Sequence, residues 1–113
     1  MEIIKSSGNI DKKAMFNMTE GGSSNKVSAA IGEVIDLAGW VLYRTEDSKG
    51  NPVTALSLLQ KNGLIYATIS ETFIKKFDKI VAFAEKELDG VFDIRVIGGT
   101  SKNGCQYVDC EIA

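Results

Sequence analysis

Residues 71–88 have the hydrophobic spacing of an amphipathic helix. Apolar side chains recur there every three or four residues and would form one stripe on a helix: Phe73, Phe77, Ile80, Ala84 and Leu88. Ser70 or Thr72 can cap the N-terminus, and Asp89-Gly90 can end the helix. The pattern therefore predicts a single helix over residues 71–88.

Before this helix, apolar and polar residues alternate with the period of two that is typical of β-strands. The alternation predicts three strands, at residues 33–44, 53–60 and 64–69. The polar residues 45–52 predict a hairpin loop between the first two. Asn62-Gly63 predicts a tight turn between the second and third, because this pair readily adopts the left-handed dihedral angles that short hairpins need. We therefore expect a three-stranded antiparallel meander.

Further strands are predicted on both sides of these elements. Alternation returns after the helix at residues 92–96 and 106–112, with a polar hairpin loop at 98–104 between them. Near the N-terminus, residues 11–18 alternate weakly, which predicts a short extra strand. The Gly- and Ser-containing residues 19–26 predict a flexible loop.

The order of three strands, a helix and two strands predicts the fold. It is the order of an OB-type five-stranded antiparallel barrel, in which the helix lies between the third and fourth strands. Other small α+β sheets can share this order. We expect a mostly β protein with one helix, folded as a single OB-like domain over residues 1–113. Residues 1–32 would hold the N-terminal strand and loop, and residues 33–112 the barrel core.

Composition argues against an enzyme. The chain has no histidine, and its two cysteines, Cys105 and Cys110, are not spaced as a CxxC pair. A zinc site of Cys and His ligands, or a histidine-dependent catalytic triad, is therefore excluded within one chain. The acidic residues are scattered, and no Gly-rich phosphate-binding motif is present. We expect no catalytic activity, no metal and no cofactor.

Hydropathy gives an expected location. The longest apolar runs are only a few residues, and the first five residues, MEIIK, lack the apolar stretch of a signal peptide. We therefore expect a cytoplasmic protein with no membrane partner.

The aromatic residues on the predicted strands indicate a binding surface. We assign Val41, Leu56 and Leu58 to the inner side of the sheet, which leaves an outward set: Trp40, Arg44, Tyr66, Arg95 and Tyr107. Exposed rings flanked by cations suit unpaired nucleotide bases, each of which gains about 1–3 kcal/mol by stacking. Lysines in or beside loops would contact phosphates: Lys12, Lys13, Lys49, Lys61 and Lys102.

Net charge and burial leave alternatives open. The formal charge of −2 means that a nucleic-acid site would have to be a local patch. Trp40 could instead be buried under the N-terminal segment, and Tyr66 and Tyr107 could be ordinary half-exposed sheet residues.

Three segments carry a resemblance to a known family. They are residues 39–43 (GWVLY), 68–73 (TISETF) and 99–104 (GTSKNG). With these segments the chain resembles the small single-stranded DNA-binding proteins encoded by tailed phages and related mobile elements of Gram-positive bacteria. The resemblance implies an OB-like fold and sequence-tolerant binding of single-stranded DNA exposed in phage replication or recombination.

Two functional hypotheses follow. The first is a non-catalytic protein that coats single-stranded DNA through the outward aromatic and cationic residues. The alternative is a small protein–protein interaction module, such as a phage inhibitor of a host enzyme, whose hot spots would be the same aromatic side chains. The sequence leaves open whether the chain forms a homo-oligomer or binds replication or recombination proteins.

Overall fold

The computed structural model describes residues 1–21 and 24–113. The described residues form these elements in chain order: β1 (Glu2–Ser6), α1 (Lys12–Thr19), β2 (Asn25–Lys26), a 3₁₀ helix (Val27–Ala30), β3 (Val34–Ile35), β4 (Leu37–Glu46), β5 (Pro52–Gln60), β6 (Ile65–Thr68), α2 (Glu71–Glu87), β7 (Ile94–Thr100) and β8 (Gln106–Ile112). They divide into two compact units. The first unit comprises Met1–Lys26 and Leu37–Ile69, and the second comprises Val27–Asp36 and Ser70–Ala113.

The first unit is a sheet with α1 on one face. Within the described residues the sheet has the strand order β1-β4-β5-β6-β2, and all neighbours are antiparallel except the short parallel pair of β2 and β6. We call it the first sheet. Its core on the α1 side consists of Met18, Val41, Tyr43, Ala55 and Ile65. The buried Ser57 hydroxyl donates a 2.5 Å hydrogen bond to the Met18 carbonyl, which ties the end of α1 to β5.

Both hairpins of the predicted meander are confirmed. In the hairpin between β4 and β5, the Asp47 carboxylate accepts hydrogen bonds from the backbone amides of Asn51 and Lys49. These bonds lower the pKa of Asp47. Gly63 has a φ of +93° in the turn between β5 and β6, a left-handed conformation that favours glycine. The turn closes with a 2.8 Å bond from the Gln60 amide to the Leu64 carbonyl.

The second unit is a sheet with α2 as its helix. Its described strands have the order β3-β7-β8, and we call it the second sheet. α2 buries one apolar stripe: Phe73, Phe77, Ile80, Val81 and Ala84. The Ser70 hydroxyl caps α2 by accepting from the Phe73 amide at 3.3 Å. Cys110 of β8 is fully buried. Burial and the nearby Asp109 charge raise the pKa of its thiol to about 12, so it stays protonated near neutral pH.

The structure confirms part of the sequence-based prediction. The three-strand meander, the helix after it and the two closing strands all occur. The predicted helix at residues 71–88 corresponds to Glu71–Glu87, with Leu88 as an exposed C-cap. The final hairpin loop is shorter than predicted, because β7 continues through Gly98 and Gly99 to Thr100.

The prediction of a strand at residues 11–18 is wrong, and so is the prediction of a single helix. The segment predicted as a strand at residues 11–18 instead belongs to α1 (Lys12–Thr19), because the Asp11 carboxylate accepts a 2.7 Å hydrogen bond from the Ala14 amide and Met15 and Met18, at helical spacing, pack in the same core cluster. The described chain therefore has two α-helices and not one. The N-terminal strand that does form is β1. Within the predicted loop at 19–26, residues 22 and 23 lie outside the described part, and Asn25–Lys26 form β2.

The predicted barrel is also wrong in its specific form. The described strands make two sheets, of five and three strands, and neither closes into a barrel. The predicted strand at 33–44 is interrupted at Asp36: β3 pairs with β7, whereas β4 pairs with β5. Hydrophobic alternation continues across this break, so it does not reveal that the two halves join different sheets.

Neither α1 nor α2 has the length and apolar content to span a membrane.

Candidate nucleic-acid interface

The strand register places two of the predicted aromatic residues on one face of the first sheet. Trp40 of β4 lies opposite Leu58 of β5, and Leu58 lies opposite Tyr66 of β6. Directly opposed residues project to the same side of a sheet. We call these three residues the aromatic row. The row lies on the face opposite α1, since Val41 and Ala55 have the other parity and pack with Met18.

The aromatic row is partly accessible. Leu58 is fully buried, as is Leu56 on the next position of the same face, whereas Trp40 and Tyr66 are half-buried. The two rings therefore flank a buried centre, and each leaves part of its own surface exposed. They are two strand spacings apart, or about 10 Å.

One predicted assignment of side chains to faces is wrong. Leu56 and Leu58 were expected on the side opposite Trp40, together with Val41. The register instead pairs Val41 with Ser57, which shifts β5 by one residue relative to that expectation. A shift of one residue moves every side chain of a strand to the other face, and β5 has apolar residues on both faces. The sequence alone could not resolve this choice.

Arg44 is an exposed cation on the same face as the aromatic row. It lies opposite Thr54 of β5 and Glu2 of β1. Among the described residues it has no ion-pair partner. Its guanidinium can therefore accept a phosphate without first breaking an ion pair of the protein.

The loop lysines of the first unit lie at opposite ends of the sheet. Lys49 is in the hairpin between β4 and β5, and Lys61 is in the turn between β5 and β6. The nine residues of β5 separate the two loops by about 30 Å. Leu58 lies two residues before the end of β5, so Lys61 is at the end near the aromatic row. Lys49 is at the end near Arg44.

Tyr107 lies in the second unit, and its ring packs over Gly99 of the neighbouring strand. It is opposite Gly99 in the register of β7 and β8, and 46% of its surface is exposed. A Cβ atom at residue 99 would lie only 2.6 Å from the Tyr107 hydroxyl oxygen, so the ring packs over the bare glycine backbone. Such packing holds an aromatic ring in place beside a glycine of the neighbouring strand.

Arg95 is paired within the second sheet. Its guanidinium lies 3.6 Å from the Glu111 carboxylate on the adjacent strand, and about half of each side chain is exposed. Asp109, on the same strand as Glu111, forms a second ion pair with Lys76 at 3.7 Å. A phosphate at Arg95 would have to compete with Glu111, whereas Arg44 has no ion-pair partner among the described residues. Lys102 is exposed in the loop between β7 and β8.

The structure reveals one aromatic candidate that was missed. Lys12 and Lys13 are on α1 and not in a loop, and Phe16 is 59% exposed beside them. With Asn17 they line a shallow depression of about 400 Å³. The signal was present in the sequence: at helical spacing, Phe16 is three and four residues from the two lysines. Interpretation of this segment as a strand concealed it.

Comparison with known families identifies the class of protein. The family model described as phage single-stranded DNA-binding protein matches residues 3–113, nearly the whole chain. The chain therefore belongs to the Phi29-type phage single-stranded DNA-binding protein family. No curated protein and no solved structure gives a match. Of the two functional hypotheses, family membership supports DNA binding: this is a phage single-stranded DNA-binding protein.

Proposed function

We propose that the chain binds single-stranded DNA with little sequence preference through the aromatic row of the first sheet. It would protect single strands exposed during phage replication or recombination, in the cytoplasm of the bacterial host. Binding would need no catalysis and no cofactor. Trp40 and Tyr66 would each stack a base, and Arg44, Lys49 and Lys61 would contact phosphates.

The proposal rests on the cross-strand row of Trp40, Leu58 and Tyr66. Two rings at a fixed spacing on one face offer a DNA strand two stacking positions. Each stacked base gains about 1–3 kcal/mol of binding free energy. Every base has an aromatic face, so this kind of contact is tolerant of sequence. Duplex DNA keeps its base faces stacked inside the helix and would not gain this energy.

The cations of the first unit support the same proposal. Arg44 is exposed on the row's face and unpaired among the described residues, and a lysine lies at each end of β5. With a formal net charge of −2, the whole chain does not attract DNA by charge alone. Local phosphate contacts beside stacking rings would supply the attraction that net charge does not.

The fluorescence of Trp40 tests the proposal directly, because the chain has one tryptophan. Titration with oligo-dT in low salt should quench or shift the emission. The affinity should fall with salt by about 0.7 log unit per phosphate contact for each log unit of salt. A duplex of equal length is the control and should have little effect. Unchanged emission at micromolar oligo-dT in low salt would contradict the proposal.

Variants of Tyr66 give a matched test that keeps the Trp40 reporter. Tyr66→Ala removes the ring, and we expect a loss of about 1–3 kcal/mol in binding free energy. Tyr66→Phe keeps the ring and removes the hydroxyl group, so it should bind oligo-dT almost as the unmodified chain does. Equal affinities of the Ala and Phe variants would mean that Tyr66 stacks no base.

A further inference from the structure

The outer surface of α1 combines an exposed ring with two cations. We call Lys12, Lys13, Phe16 and Asn17 the α1 surface; they line the shallow depression of about 400 Å³. The described residues that line it carry no carboxylate. Neither lysine has an ion-pair partner among the described residues. The lining residues therefore carry two positive charges and no negative charge, while the carboxylates of Asp11 and Glu20 lie at the two ends of α1.

α1 holds this surface in a fixed orientation. Met18 is 2% exposed in the core, and its carbonyl accepts from the Ser57 hydroxyl of β5. The Asp11 side chain caps the first turn, and the Thr19 hydroxyl donates to the Met15 carbonyl at 2.8 Å. These contacts direct Phe16 away from the sheet, so little further ordering of the helix is needed on binding.

We propose that the α1 surface is a second subsite for single-stranded DNA. A base would stack on the Phe16 ring, and Lys12 and Lys13 would contact the phosphates on either side of it. The Asn17 amide is in position to hydrogen-bond a base edge. This inference rests on the proposed function. It adds to it a subsite on the opposite face of the first sheet from the aromatic row.

Charge selects DNA over a protein as the occupant of this surface. Hot spots of protein interfaces are surrounded by contacts that exclude water around a packed centre. Phe16 is instead bordered by two lysines and an asparagine, the combination of ring and cations that binds single strands. Phe83 on α2 has a similar local composition and serves as a comparison by position: it is 50% exposed, and Lys79 and Glu87 are four residues from it, as Lys12 and Glu20 are from Phe16.

The position of α1 predicts a dependence on oligonucleotide length. A DNA strand that contacts both faces of the first sheet must pass around an edge of that sheet. An oligo-dT of about six nucleotides can occupy the aromatic row alone, whereas one of about 25 nucleotides can reach both faces. We therefore expect Phe16→Ala to weaken binding of the longer oligonucleotide about ten-fold and to leave binding of the shorter one unchanged.

A relocated tryptophan tests the stacking contact. Trp40→Phe keeps a ring in the aromatic row, and Phe16→Trp in that background puts the only tryptophan on α1. Its emission should be quenched by the 25-nucleotide oligo-dT. The matched control is Phe83→Trp in the same background, which should not be quenched. Binding is followed independently by the anisotropy of a fluorescein-labelled oligo-dT.

The outcomes separate this inference from the proposed function. Binding by anisotropy without quenching at residue 16, or equal quenching at residue 83, would overturn the second subsite. No anisotropy change with the unmodified chain would instead overturn the proposed function.

The lysines give a second readout that does not depend on a reporter ring. Lys12→Gln with Lys13→Gln should lower the salt slope for the longer oligo-dT by about 1.4, since each lost phosphate contact removes about 0.7. Lys75→Gln with Lys79→Gln on α2 is the matched control, with an equal change in net charge. Equal slopes for the two double variants would also overturn the subsite.

Discussion

The two helices of the described chain are attached to their sheets in similar ways but are stabilised differently. In each, an N-cap side chain accepts from an amide in the first turn: Asp11 from Ala14 at 2.7 Å, and Ser70 from Phe73 at 3.3 Å. In each, a buried strand side chain donates to a helix carbonyl. Ser57 donates to Met18 at 2.5 Å in the first unit, and Cys110 donates to Phe73 at 3.9 Å in the second.

The difference lies in how much apolar surface each helix buries. α2 has 17 residues and buries five apolar side chains, whereas α1 has eight residues and buries Met18. A helix of eight residues is too short to be stable alone. We infer that α2 is stabilised mainly by its own hydrophobic stripe, whereas α1 depends on the buried Met18 together with its cap and the hydrogen bond from β5.

The largest expected effect is the loss of Phe73 from the α2 core. Phe73 is completely buried, and Phe73→Ala should lower the free energy of unfolding by about 3–5 kcal/mol because it leaves a cavity. Urea denaturation followed by circular dichroism measures it. Phe83→Ala is the matched control on the same helix, with half of the side chain exposed, and should cost less than about 1 kcal/mol. Similar losses for both variants would contradict the assignment of the buried stripe.

A smaller effect is expected where α1 meets β5. Ser57→Ala removes the hydroxyl that donates to the Met18 carbonyl in the last turn of α1, where carbonyls lack partners within the helix. An unpaired buried acceptor costs about 1–3 kcal/mol. Hydrogen exchange should show faster exchange of the α1 amides, and denaturation the loss in stability. Ser48→Ala in the exposed hairpin is the control; a Ser57→Ala change no larger than this control would refute the polar anchor.

The same contrast explains which parts of the fold could be predicted. The α2 stripe is a property of its own sequence, so its position was predicted to within one residue. α1 has a local cap signal in Asp11, but it also depends on the Ser57 hydroxyl 39 residues from Met18, which no local pattern reveals. The barrel prediction failed for a related reason: whether β3 and β4 continue in one sheet depends on their partners, and alternation does not identify them.

The candidate site shows the same limit. Strand periodicity was sufficient to place Trp40 on a strand and Tyr66 on another, and the register puts both on one face. Arg44 and Arg95 each lie opposite a glutamate of the neighbouring strand, Glu2 and Glu111, and only the placement of the side chains in the fold decides whether an ion pair forms. Arg44 and Arg95 look alike in sequence, but Arg95 is paired with Glu111 and Arg44 is unpaired among the described residues. That these residues bind DNA stays a prediction.

A still smaller effect on stability separates the capping role of Asp11 from its charge. Asp11→Ala removes the cap of α1 and should cost about 1 kcal/mol, whereas Asp11→Asn should be nearly neutral because Asn caps as well as Asp. Hydrogen exchange should show that Asp11→Ala speeds the exchange of amides throughout α1, since an eight-residue helix loses a large share of its stabilising contacts with the cap. Ser70→Ala should expose only the first turn of α2, because the buried stripe holds the rest.

Single-stranded DNA binding should respond to the same variants differently. Asp11→Asn removes a negative charge next to Lys12 and Lys13, so the affinity for long oligo-dT should rise about two-fold at low salt, or about 0.4 kcal/mol. Asp11→Ala removes the same charge but loosens the helix that orients Phe16, and the gain should disappear. If both variants gained equally, DNA binding would not depend on an ordered α1. If neither gained, the charge beside the α1 surface would be irrelevant to the bound strand.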